Sequence, residues 1–294
     1  MTSQDPWTLG RLLTWTTDYL RQHGSESAQL DAQLLLAHAR HCRRIELFTA
    51  YAEEASAELR SEFRELVRQR AEGVPVAYLT GSREFYSLEF LVTRDVLIPR
   101  PETEDVVVAL LDLLAQREST AEPPVLADVG TGSGILAVCA ARHVPGAVVW
   151  ATDTSSAALA VAQQNCQRHG VIDRVQLVEG DLLSPIPADV RLDVVLSNPP
   201  YVSESEYAEL MRDVRDHEPR GALVAGPTGT EVIARLIPAA AERLKPGGWL
   251  VLEISPMIDA AVRGLLESDG RFEQIRTRSD LAGHARVVQA TIRP

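Results

Sequence analysis

The stretch that most constrains this chain is Val125-Leu-Ala-Asp-Val-Gly-Thr-Gly-Ser-Gly134. Its first residues read as a buried strand ending at Asp128 and Val129, and Ile135 to Arg142 reads as a helix packed back against the sheet. Between them, Gly130, Gly132 and Gly134 make a tight turn. Glycines there permit positive φ and close approach of a ligand to the backbone, while the helix start offers free N–H groups. This is a nucleotide-type cofactor turn. A dinucleotide fingerprint fits it poorly, because Ile135 stands where G-x-G-x-x-G needs its third glycine.

The turn needs a sheet around it, and the chain supplies one. With 294 residues, 45% of them hydrophobic, there is material for one large core and a smaller satellite domain. The net charge of -12 opposes binding to nucleic acid phosphate. No run approaches the roughly 18 apolar residues of a membrane span, and Met1 to Trp7 shows no secretory pattern. Cys42, Cys139 and Cys166 are widely spaced and form no metal pattern, which points to reduced thiols in the cytoplasm. Cys139 reads as a small buried hydrophobe.

Residues 7–72 read as helical: Trp7 to Arg21, Asp31 to Ala39 and Glu54 to Ala71 carry apolar residues at three- and four-residue steps. Gly73 to Gly81 changes register, and Arg83 to Thr93, rich in aromatic and β-branched residues, reads as a hairpin. Pro99 and Pro101 stiffen the entry to a helix through Val106–Leu114, where Thr103 or nearby acids can satisfy helix-start donors. The apolar pattern fades at Gln116, and Ser119 to Pro124 reads as a linker.

Beyond the turn, strands and helices alternate, which defines a doubly wound α/β class. The strand Ala147–Asp153 ends in an acid about 20 residues past the turn, where a carboxylate accepts hydrogen bonds from ribose hydroxyls. Asp153 could alternatively cap the helix Ala157–His169. Asp181, after the strand Arg174–Glu179, can face an adenine amino group. The strand Leu192–Ser197 runs into Asn198-Pro-Pro-Tyr201, whose prolines cannot extend a central sheet. Ligands bind at that carboxyl edge. Asn198 and the Pro199 carbonyl offer acceptors for both protons of an N–H₂ group, with Pro200 stiffening the backbone and the Tyr201 ring beside it. Further on, Thr228–Leu244 reads as a helix ended by Lys245-Pro-Gly-Gly248, Trp249–Ile254 as a strand, and Met257–Leu266 as a helix. Phe272–Thr277 and Arg286–Thr291 complete the set as a strand pair.

Asp128-x-Gly-x-Gly-x-Gly134 together with Asn198-Pro-Pro-Tyr201 resembles amino-methyltransferases that use S-adenosylmethionine. Asp31 to His38, Pro75 to Gly81, Leu97 to Glu104, Asp213 to Gly226, and Asp280 to Gly283 with Arg286-Val-Val are similar to the HemK/PrmC family, the peptide chain release factor glutamine methyltransferases. In two places the chain departs from the family pattern, at Ser255-Pro256 and at His284-Ala285.

The resemblance implies a seven-stranded class I, Rossmann-like methyltransferase sheet with one antiparallel strand. It implies a helical substrate-recognition domain over 1–75, a linking hairpin segment over 76–98 and a catalytic domain over 99–294. The substrate would be the glutamine of the Gly-Gly-Gln motif in class I release factors. Asn198, Pro199, Pro200 and Tyr201 would form the catalytic motif, with Asn198 also bordering the cofactor. Gly130, Thr131, Gly132 and Gly134 would flank the methionine part of S-adenosylmethionine, with Asp128 and Leu182 nearby. Asp153 would take the ribose and Asp181 the adenine, and Arg100 and Pro101 would close over the site. S-adenosylhomocysteine would be the product, no metal is called for, and a monomer free of membrane and of stable nucleic acid contacts is expected. The alternative is adenine-N6 methylation of a nucleic acid, since the Asn-Pro-Pro-Tyr motif serves both kinds of N–H₂.

Overall fold

The structure, a computed structural model, describes residues 6–115 and 122–294. Residues 119–121 of the 119–124 linker, the fading pattern at Gln116 and the start of the Met1–Trp7 stretch thus lie outside the described residues. Two compact units are present. One takes in the chain up to Ser82 together with Arg212–His217; the other takes in Arg83–Met211 and Glu218–Pro294.

The first unit is helical, with helices Leu9–Gln22, Ala28–Ala39, Arg44–Thr49, Ala57–Ala71 and Val76–Thr80. Thr8 and Ser56 cap the first and fourth by accepting from Arg11 N–H and Leu59 N–H. The Ser56 cap explains why the helix expected from Glu54 begins at Ala57. Leu9, Leu35, Leu36, Leu47 and Phe63 are buried at its centre. Asp31 is buried too, and accepts from Ser25, Ser27 and Arg70 Nε, the last at 2.7 Å. Two helices escape the sequence pattern. Arg44–Thr49 is too short to show a period, and Val76–Thr80 forms within the stretch read as a change of register, stopped by Gly81 at φ +70°.

The second unit opens with strands β1 (Ser82–Phe85, whose first residue closes the first unit) and β2 (Leu88–Leu91). Tyr86 and Ser87 join them, both at positive φ as a two-residue primed turn requires. Tyr86 tolerates this because its N–H donates to Glu104 Oε1 at 2.9 Å and its ring packs edge-on against His143.

Strands β3 (Val125–Val129), β4 (Val148–Asp153), β5 (Val175–Glu179) and β6 (Leu192–Ser197) follow. After them come the short pair β7 (Val202–Ser203) and β8 (Val224–Gly226), then β9 (Leu244–Glu253), β10 (Phe272–Ser279) and β11 (Ala285–Ile292). The large sheet has seven strands in the order β10-β11-β9-β6-β3-β4-β5, and β11 alone runs against the rest. Helices Glu104–Ala115 and Ile135–His143 contribute to the core on one side of it, Glu231–Arg243 and Asp259–Asp269 to that on the other.

One element departs from expectation: Lys245-Pro-Gly-Gly248 lies inside β9 instead of ahead of it. The pairing of β9 with β6 shifts register there, and a Cβ on Gly248 would stand 2.9 Å from the Lys245 carbonyl and 3.1 Å from that of Asp193. The strand passes through an irregularity that only glycine fits. Ser255 and Pro256, at the first departure from the family pattern, start a 3-10 turn in which Ser255 caps Met257 N–H.

Candidate active site

The parallel strands present their carboxyl ends together, with Val129 beside Thr152 on one side and Ser197 on the other. The glycine turn springs from that edge. Gly130 N–H and Thr131 N–H both donate to the Thr152 carbonyl at 2.9 Å. Asp128 Oδ2 accepts from Thr131 Oγ1 at 2.6 Å and from Ala137 N–H at 3.0 Å, so the acid braces the turn against the first turn of the following helix. Complete burial pushes the Asp128 carboxyl up to about 7, and its Oδ1 has no hydrogen-bond partner.

Asp153 holds the turn from β4. Its Oδ2 accepts from Gly132 N–H and its Oδ1 from Ser155 N–H, each at 2.9 Å. The helix cap is Ser155, which accepts from Ala158 N–H, so capping does not account for Asp153. A carboxylate with two such bonds keeps lone pairs for a ligand. Gly134, at φ +83°, serves packing instead. A Cβ there would lie 3.1 Å from that of Ala162, so the glycine lets two helices meet.

Facing the turn, Leu182 sits at φ +51°, rare for a branched residue, and its carbonyl accepts from Thr152 Oγ1 at 2.8 Å. Asp181 pairs with Arg235. The Pro99–Arg100 segment is tied down by Glu218, a buried carboxylate that accepts from Ile98 N–H at 3.1 Å and from Arg100 at 2.5 Å.

Asn198 leaves β6 just after Ser197, whose hydroxyl donates to the Val129 carbonyl at 2.6 Å. Asn198 Nδ2 donates to Thr103 Oγ1 at 3.1 Å, which leaves the carboxamide oxygen as acceptor. Thr103, considered above as a helix cap, is fully buried and turned to this use. The Tyr201 hydroxyl donates to Glu253 Oε1 at 3.2 Å. Burial drives the Tyr201 hydroxyl above its ordinary range and lifts the Glu253 carboxyl to about 7.

A cavity of about 370 Å³ occupies this edge, a size usual for small-molecule sites. Arg100, Asp128, Gly130, Thr131, Gly132, Asp153, Asp181, Leu182, Asn198, Pro199 and Pro200 line it. Pro101, Gly134 and Tyr201 are not among its lining residues: Pro101 starts a 3-10 turn, Gly134 packs on Ala162, and Tyr201 turns back to Glu253. Sequence reasoning did not assign Thr103, Glu218, Arg235 or Glu253 to the site; of these, Thr103 and Glu218 stand inside the family-like stretches Leu97–Glu104 and Asp213–Gly226. Cys139 is buried, its thiol pushed up to about 12 by desolvation.

The cavity suits the cofactor that the glycine turn implies. At Gly130 and Gly132 nothing stands within 4 Å of where a Cβ would be, so the backbone is open to a ligand, and the unpartnered Asp128 Oδ1 is an acceptor for an amino group. A seven-stranded sheet with β11 reversed, joined to such an edge, defines a class I methyltransferase that uses S-adenosylmethionine.

Comparison with known proteins narrows the class. Residues 11–81 match the PrmC N-terminal domain and residues 108–217 the methyltransferase small domain. The release factor glutamine methyltransferase of Rhodopirellula baltica is 50% identical over 288 residues, 98% of this chain and 97% of the relative. That of Moorella thermoacetica is 41% identical over 279 residues, 95% and 96% of the two chains. The chain belongs to the release factor glutamine methyltransferase family. Among solved structures, the T. thermophilus 16S rRNA N2 G1207 methyltransferase shares the fold at a TM-score of 0.51 and 21% identity, covering 72% of this chain and 50% of that one.

Proposed function

We propose that this protein transfers the methyl group of S-adenosylmethionine to the side-chain amide nitrogen of the glutamine in the Gly-Gly-Gln motif of class I peptide chain release factors. S-adenosylhomocysteine is the product, and translation termination in the cytoplasm the setting. The observation that carries the reading is the Asn198 carboxamide at the cavity wall: its nitrogen is committed to Thr103 and its oxygen is left to accept. Kinship over nearly the whole chain with enzymes named for this reaction supports it.

Bound S-adenosylmethionine supplies an electrophilic methyl on a sulfonium. The residues of the chain have to orient the nucleophile, because an amide nitrogen delocalises its lone pair into the carbonyl. Hydrogen bonds from its two protons to Asn198 Oδ1 and the Pro199 carbonyl fix the nitrogen and favour pyramidal character, aiming the lone pair at the methyl carbon. The same acceptors offset the positive charge that builds on nitrogen. The methylated, protonated amide is acidic enough to lose its proton to water. Asp153 is assigned to the ribose hydroxyls, Asp181 to the adenine amino group, and Gly130 to Gly132 to the methionine part, with Arg100 covering them. The helical segment 1–75 is assigned to recognition of the folded release factor.

The test is incubation of the purified protein with methyl-labelled donor and either a class I release factor or duplex DNA. Label on the release factor, lost when its motif glutamine is replaced, is expected. Label on DNA alone would establish the adenine-N6 reading instead.

A further inference from the structure

Asn198 is useful to an acceptor amide only in one of its two orientations. Oxygen and NH₂ occupy nearly the same space, so shape does not choose between them; hydrogen-bond polarity does. With the oxygen toward the acceptor, Asn198 accepts an amide proton. Turned over, it would present N–H against N–H and repel the substrate it has to hold.

The structure contains a buried polar chain that makes the choice. Asn198 Nδ2 donates to Thr103 Oγ1 at 3.1 Å. The Thr103 side chain favours the ionised Glu253 carboxyl, which accepts from the Tyr201 hydroxyl at 3.2 Å. A hydroxyl has a single proton. If that proton is drawn to a carboxylate, Thr103 faces Asn198 as an acceptor only, and the Asn198 nitrogen must be the atom that meets it. Thr103 and Glu253 are both essentially inaccessible, so bulk water does not compete for their hydrogen bonds.

Resting on the reading of Asn198 as the grip on the acceptor amide, we propose that Thr103 and Glu253 are positioning residues that set the orientation of the Asn198 carboxamide and keep its oxygen toward the substrate. Thr103 borders the cavity beside Asn198, and Glu253 is not among the residues that line it. Their effect passes through Asn198.

The carboxyl end of this chain titrates near neutrality. Glu102 faces it and opposes its ionisation, Arg286 and the hydroxyls of Thr103 and Tyr201 favour it, and Arg100 and Arg286 act on Tyr201. Protonated Glu253 can donate to Thr103, whose own proton is then free to turn toward Asn198 and reverse the grip. Glu253→Gln imitates that state at every pH, since its amide also donates.

Thr103→Val keeps the shape and removes the hydroxyl, while Thr103→Ser keeps the hydroxyl. Methylation of a release factor is measured at saturating donor, with donor affinity by calorimetry. The expected result is that Thr103→Val and Glu253→Gln each lower kcat by about 10-fold or more with donor affinity unchanged, and that Thr103→Ser retains most of the turnover. Wild-type kcat should fall on the acid side of about pH 7, a limb that Glu253→Gln lacks. Near-normal kcat in Thr103→Val, or equal loss in the Val and Ser variants, would overturn the proposal. If Thr103→Val fails to fold, near-normal kcat in Glu253→Gln overturns it and a low, pH-flat kcat upholds it. Asn198→Ala, run in parallel, separates the two readings: a fully active Asn198→Ala removes the grip itself, whereas an inactive Asn198→Ala beside an active Thr103→Val removes only the positioning.

Discussion

Arg100 and Glu218 stand 118 residues apart in the chain and 2.5 Å apart in space, one partly exposed at the cavity wall and the other buried behind it. The pair is unequal, and its two ends should respond unequally to mutation. Arg100→Ala strands a buried carboxylate, which typically costs about 3–5 kcal/mol. Glu218→Ala leaves a guanidinium that can reach water and one backbone N–H unpaired, nearer to about 1–3 kcal/mol. Denaturant unfolding of both variants should therefore rank Arg100→Ala as the less stable; the reverse order would mean that the ion pair is not what holds the Pro99–Arg100 segment.

Asp153 carries two backbone bonds in addition to its proposed bonds to ribose. Asp153→Ala should weaken S-adenosylmethionine binding by a few kcal/mol, about what charge-assisted hydrogen bonds are worth when lost together. Calorimetry on the folded variant measures this, and unchanged affinity would confine Asp153 to bracing the turn. NAD should not bind comparably, since Ile135 occupies the place of the third fingerprint glycine.

Replacing Asn198 by Ala removes the proposed acceptor for the substrate N–H and leaves the donor pocket otherwise complete. Turnover on intact release factor should fall on the order of 10²-fold while donor affinity holds. Asn198→Asp keeps size and an oxygen but adds charge; it should improve binding of the positively charged donor and still lower turnover. Normal kcat in Asn198→Ala would reduce this residue to the end of β6.

The proposed recognition role of the helical segment has a kinetic signature. A short peptide containing Gly-Gly-Gln should be a much poorer substrate than the folded release factor, with the difference in kcat/KM. Equal values for the two would make the segment purely structural.

Burial raises the Asp128 carboxyl from 3.8 to about 7, so the folded state holds a proton that the unfolded chain gives up near its ordinary value. Stability from this group is present below that ordinary value and is lost as pH climbs through about 7. Asp128→Asn does not titrate. Measured by urea unfolding without donor, the variant should gain on wild type as pH rises from about 5 to about 7, by up to about 1.4 kcal/mol for each step of one in pH. A pH-independent difference would show that Asp128 is not the group responsible.

How far the sequence disclosed this site depended on the distance between partners. The glycine turn, the strand-ending Asp153 and Asn198-Pro-Pro-Tyr201 are each local patterns whose spacing carries their meaning. The pairing of Thr103 with Glu253 belongs to no such pattern. A threonine before a helix reads as a cap and a glutamate near the end of a strand as a solvated acid, and only β9 beside β6, with the Pro101–Thr103 turn packed close by, gives them a shared purpose. The packing of Gly134 was hidden for a related reason. Its alternation with Gly130 and Gly132 suggests one role for all three glycines, but the neighbour that matters to it, Ala162, is on another helix. The helix Val76–Thr80 was hidden because five residues are too few to display a period.

The helix Arg212–His217 lies far along the chain from the other helices of the first unit, yet belongs with them, its Asp213 3.9 Å from Arg70. The main chain therefore crosses between the two units after Ser82, after Met211 and again after His217. Such a protein cannot be assembled by one splice. A gene segment encoding only the first 82 residues, moved to another enzyme, would arrive without Arg212–His217, and Arg70 would lose the second of its two carboxylates. During synthesis, too, the first unit is complete only once the ribosome has passed His217, more than a hundred codons after Ser82.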